Sequence, residues 1–111
     1  SLKTRKRLLL DNQIKKNATN VASAWSSLQS SKTYLASIEA QVKAAKIANE
    51  GITAEYERGG SGRTTLDVIQ SNSLLLNAQI SLANSERNYL LSQYNLLKSV
   101  GLLNSDYLKL K

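Results

Sequence analysis

The side chains best placed to do chemistry flank one short stretch, EYERGGSGRTTLDV, residues 55–68. Three glycines, Gly59, Gly60 and Gly62, fall within four positions of a chain that has five glycines and no proline. Arg63 and a threonine pair follow the glycines, which is the look of a phosphate cradle. The pattern Gly-x-x-x-x-Gly-Lys-Ser/Thr, however, needs glycine where Glu57 stands and lysine where Arg63 stands, with a strand before it. Acid–base work by paired carboxylates fares no better. Glu55 and Glu57 are two residues apart, and on a helix such neighbours point apart. Serine is abundant, but the chain has no histidine to activate it. With neither histidine nor cysteine, the common zinc sites and thiol chemistry are also gone. The sequence therefore predicts a protein that is not an enzyme, with no catalytic residue, no metal site and no cofactor.

Long helices must hold this stretch. Residues 5–57 read as one helix, because Ile14, Val21, Leu28, Leu35, Val42, Asn49 and Tyr56 recur every seven residues. Asn17, Ala24, Ser31, Ile38, Ala45 and Ile52 follow three positions after each, completing a heptad seam. At the rise of an α-helix this element would be ~80 Å long. Gly51 within it costs about 1 kcal/mol relative to alanine and suggests a bend or a close helix contact. A second helix is predicted over 65–100, ended by Gly101 as a C′ glycine. A short segment, 102–111, would follow, with Asn104 or Ser105 as its cap. The linker over 58–64 is too short for a parallel return, so the helices form an antiparallel hairpin. The glycines supply the positive φ of the turn, and Thr64 with Asp67 forms a capping box for the second helix.

The second helix carries two seams. One is Leu66, Ile69, Ser73, Leu76, Ile80, Ala83, Arg87, Leu90, Tyr94 and Leu97. The other, two or so residues away, is Val68, Ser71, Leu75, Ala78, Leu82, Ser85, Tyr89, Ser92, Leu96 and Ser99. Two residues turn a helix by about 200°, so the seams lie on nearly opposite sides. The first helix has a matching face of small residues, Ser23, Ser26, Ser30, Thr33, Ser37, Ala40, Ala44, Ile47, Gly51 and Ala54. A simple hairpin needs one seam per helix. Two opposed seams require a neighbour on each side, which is the arrangement of a sheet of helices or, once closed, a barrel. Gln70, Asn77, Asn84, Asn88 and Asn95 form a polar stripe suited to a wet wall.

Composition agrees with long helices. Five Tyr and one Trp are the only aromatics in 111 residues, too few for an ordinary compact core. No apolar run approaches the ~20 residues a transmembrane helix needs. The net charge of +7 is uneven: Lys3, Arg5, Lys6, Arg7, Lys15 and Lys16 against Asp11 give residues 1–16 a charge of +5. Such an end suits a solvated helix or a contact with nucleic acid or anionic lipid. The two rivals to a barrel piece are a stand-alone coiled-coil module and a basic nucleic-acid or lipid binder through residues 3–16.

The segment from Tyr56 to Gly101 resembles the TolC-like outer-membrane efflux proteins. In that family a long helix ends near Tyr-x-x-Gly, a short turn follows, and then Arg/Thr-Thr-x-x-Asp-Val-Leu opens a helix with heptad leucines and alanines. Here those pieces are Tyr56, Gly59, Arg63-Thr64, Asp67-Val68-Ile69 and the seams up to Gly101. Residues 17–51 look like the preceding long helix. The resemblance implies an all-α hairpin from a trimeric periplasmic α-barrel, the exit duct of drug efflux or type I secretion. The outer-membrane part would lie in segments this chain lacks. It implies a periplasmic adaptor (membrane fusion) protein and an inner-membrane pump as partners, and no nucleic acid. It further implies that Arg63 is an entrance-link residue and Asp67 a constriction acid, with Tyr56 and Gln70 beside them. Gly59, Gly60, Ser61, Gly62 and Thr64 would form the tip turn at which the adaptor docks.

Overall fold

A computed structural model describes residues 1–60 and 62–110. The described chain consists of two helices, α1 (Leu2–Arg58) and α2 (Thr65–Leu110). The fold is all-α, an antiparallel helical hairpin. Local chemistry sets its ends. The Ser1 hydroxyl accepts the Thr4 amide N–H at 3.3 Å, an N-cap contact for α1. At the other end the Gly59 N–H donates to the Tyr56 carbonyl at 3.2 Å. Gly59, Gly60 and Gly62 have φ of 71°, 73° and 80°, values that L residues rarely adopt. Glycine is therefore required to leave α1 and turn the chain.

The chain divides into two compact units. One joins Ser1–Ser31 to Tyr89–Lys111. Its seam runs through Ile14, Val21, Ala24 and Leu28 on α1 and Tyr89, Ser92, Leu96, Ser99 and Leu103 on α2, all partly buried. Two polar rungs cross the seam of this unit. The Asn17 side-chain amide donates to Asp106 Oδ2, with both residues buried. The Ser31 and Ser92 hydroxyls meet at 2.9 Å.

The other unit is Lys32–Asn88. Leu35, Ile38, Val42, Ala45, Asn49 and Ile52 of α1 lose solvent here, as do Val68, Ser71, Leu75, Ala78, Leu82 and Ser85 of α2. Ile38, at 4% exposure, is the one buried hydrophobic residue among those described. The Asn49 amide donates to Ser71 Oγ at 3.1 Å and to Asn72 Oδ1 at 2.6 Å. Buried Ser85 satisfies its hydroxyl by donating to the Ser81 carbonyl at 2.8 Å.

The seam predicted for α1 and the second seam predicted for α2 are thus the inner faces of the hairpin; Tyr56, at the end of the α1 series, is exposed. The helix limits differ from expectation. Gly101 does not end α2, which continues to Leu110, and Asn104 and Ser105 lie inside it rather than at a cap. The reason is the heptad: Leu103 and Asp106 stand seven residues after Leu96 and Ser99, and both lose solvent. Pairing with α1 outweighs the ~1 kcal/mol that glycine costs in a helix. Likewise α1 begins at Leu2 rather than at residue 5. Gly51 is not a close helix contact, since a Cβ there would meet nothing within 4 Å.

The other faces stay open. In the second unit Leu66, Ile69, Leu76 and Ile80 of α2 are exposed, and in the first so are Leu90, Tyr94 and Leu97, at 52–72%. The small-residue face of α1 and the Gln70-to-Asn95 stripe are exposed along their whole length. No helix among the described residues is long and apolar enough to cross a membrane.

Candidate functional site

The turn between the helices lies wholly within the second unit. Its geometry follows from the capping box. The Asp67 carboxylate accepts the Thr64 N–H at 2.9 Å, and the Thr64 hydroxyl accepts the Asp67 N–H at 3.2 Å. Two orphan amides of the first turn are satisfied reciprocally, and the negative charge sits at the positive end of the helix dipole. This holds Asp67 half-buried at the start of α2.

Arg63, immediately before the cap, reaches back across the turn. Its Nε donates to Glu55 Oε2 at 2.6 Å. That hydrogen bond, and secondarily the Arg63 charge, holds the Glu55 carboxyl below its ordinary value of 4.5. The same bond raises the Arg63 guanidinium, with a smaller contribution from Asp67. Both side chains are more than a third exposed, at 41% and 38%. The tie therefore acts as a screened surface contact that orients Arg63. Its contribution is present above pH 4.5 and is lost as pH falls through the lower folded value of Glu55.

Arg63, Asp67, Gln70 and Ser71 line an open groove of about 240 Å³. Ala45, Ala48, Ile52 and Leu74 form its apolar remainder. Three of the four residues expected at an entrance are thus brought together. Tyr56 is not; it is exposed, and its hydroxyl meets Thr65 Oγ1 at 3.0 Å. Gly59, Gly60 and Gly62 form the turn and Thr64 its cap, while Ser61 lies outside the described residues. Sequence reasoning missed Glu55 as the partner of Arg63. The only signal was opposite charge on the two sides of the glycines, and the loop path decides which acid is reached. The groove offers one cation tied to one anion, one capping carboxylate and one amide.

Over 91 residues, 82% of this chain, the sequence is 33% identical to the outer membrane efflux protein BepC of Brucella suis biovar 1 (strain 1330). The chain belongs to the TolC-like outer-membrane efflux family. It corresponds to about a fifth of the relative, 20% of its length. No family model matches the chain, and no solved structure matches it. The TolC-like assignment agrees with the all-α hairpin and rests on a sequence match that extends well beyond the tip.

Proposed function

We propose that this hairpin is part of the wall and the periplasmic entrance of an efflux or type I secretion duct in the bacterial outer membrane. The observation that carries the reading is the outward seam of α2. A hairpin complete in itself would not leave seven large apolar side chains exposed in heptad register. A helix in a closed ring would, because it needs a neighbour on that side. The small-residue face of α1 is the complementary surface, admitting knobs from an adjacent helix at close range. In the intact protein the ring would be a trimer. The duct does no bond chemistry; the energy for transport comes from an inner-membrane pump, joined through a periplasmic adaptor that docks at the Gly59–Thr64 turn.

In this reading Arg63 and Asp67 are the entrance residues, with Tyr56 and Gln70 alongside. Arg63→Glu and Asp67→Lys in the full-length trimer should each loosen the closed entrance and raise single-channel conductance. Unchanged conductance in both variants would remove the entrance role. A stand-alone coiled-coil module is the second reading, and it is favoured only if the purified hairpin stays monomeric at high concentration.

A further inference from the structure

The proposed duct leaves one feature unused. The unit formed by residues 1–31 and 89–111 holds nine basic and two acidic residues, whereas residues 32–88 hold six of each. The entire net charge of +7 therefore resides in one unit. Most of it is at the start of α1, where Lys3, Arg5, Lys6, Arg7, Lys15 and Lys16 are all exposed. None of them is in an ion pair among the described residues.

The arrangement is directional. Leu2, Arg5, Lys6, Leu9 and Lys16 fall within an arc of about 100° at helical spacing. All five are exposed, Leu2 by 69% and Leu9 by 60%. Arg5, Leu9 and Lys16 lie about 80–120° round the helix from Asn17, the nearest seam position, and Leu2 and Lys6 fill the arc between them and the seam. Lys3, Arg7 and Lys15 point elsewhere. A face meant only for solvent has no use for the leucines. Gln13 is the one uncharged polar residue of positions 2–16 that shares this arc. Cations interleaved with exposed leucines match a lipid interface, where the charges meet phosphate headgroups and the leucines enter the acyl boundary.

We propose that the face of Leu2, Arg5, Lys6, Leu9 and Lys16 binds anionic phospholipid and anchors this part of the hairpin against a bilayer surface. The choice of lipid over nucleic acid rests on the reading of the chain as part of a cell-envelope protein; the charge and its direction do not.

The test is flotation of the purified 111-residue chain with phosphatidylcholine vesicles, with and without phosphatidylglycerol. Binding should require the anionic lipid and weaken as salt rises. Each Lys or Arg neutralised at the surface should cost about fivefold, so Arg5→Gln/Lys6→Gln/Lys16→Gln should weaken binding about a hundredfold. Lys3→Gln/Arg7→Gln/Lys15→Gln removes the same charge and should cost much less. Glutamine matches lysine and arginine in helix propensity, and circular dichroism verifies that both variants keep their helix. Equal losses in the two variants, or equal binding to neutral vesicles, would overturn the face. Tighter binding to duplex DNA than to anionic vesicles would assign it to nucleic acid instead. None of these outcomes bears on the conductance of the trimer, so the two proposals fail separately.

Discussion

The two long faces of α2 have the same heptad spacing and opposite fates. The inner one, from Val68 to Ser99, alternates large residues with Ser and Ala and is covered by α1 within each unit. The outer one, from Leu66 to Leu97, has seven large apolar residues and is covered by nothing among the described residues. The richer face is the open one. Small residues suit a close approach of two helices that the turn already tethers, because the linker supplies proximity and little apolar area is required. A contact between untethered partners has no such help and must bury more. The difference thus separates an intramolecular seam from one that awaits a neighbour.

The sharpest way to break that distinction is to spoil the outer face. Leu76→Asn with Ile80→Asn removes two residues that are more than half exposed, so the hairpin itself should keep its helix content. Self-association of the purified chain should weaken more than a hundredfold, given roughly 1.5–3 kcal/mol for each large apolar side chain buried. Light scattering across a concentration series reads this directly. Association at wild-type strength in the variant would mean that the outer seam is not the contact surface.

The inner face should respond in stability instead. Ile38→Ala creates a cavity at the one buried hydrophobic position among the described residues. It should cost about 2–3 kcal/mol in urea denaturation, toward the lower end of the range for such changes, because a two-helix seam collapses readily around the gap. Its association, normalised to the folded fraction, should be unchanged. If Ile38→Ala impaired association and Leu76→Asn/Ile80→Asn impaired folding, the assignment of the two faces would be reversed.

How much of this could be read from the residues depends on how local each cause is. The seams were legible because period seven is a property of one helix, visible without a partner. The Thr64–Asp67 box was legible because both partners lie within one turn, and the glycine turn because φ above zero is a demand few residues meet. The end of α2 was not legible. Gly101 is a local stop signal, and what overrides it is the continuation of the seam through Leu103 and Asp106 onto α1. The Glu55–Arg63 tie was hidden for the same reason, since it depends on where the loop carries Arg63. The inward and outward faces of α2 share one spacing and differ in composition, and the pairing with α1 decides which of them is covered.

Register was the least legible quantity, because sliding one heptad seam by seven residues along another preserves the pattern of large and small positions. What distinguishes one register from the next is the rare polar pair, and Asn17 with Asp106 is the buried instance here. Asp106→Ala leaves the Asn17 amide buried without its acceptor and should cost about 1–3 kcal/mol. Asn17→Leu with Asp106→Leu removes both polar groups and should recover most of that loss, because apolar replacement of a buried polar pair is often neutral or stabilising. The recovered stability should come with lost specificity. Engineered cysteines at positions 24 and 99 would form a disulfide in the native register alone, while the double-leucine variant should also cross-link a partner cysteine placed seven residues away. A double variant that remains confined to one register would mean that the rest of the seam, with the Ser31–Ser92 rung, fixes the pairing of that unit, and that Asp106 serves only to satisfy Asn17.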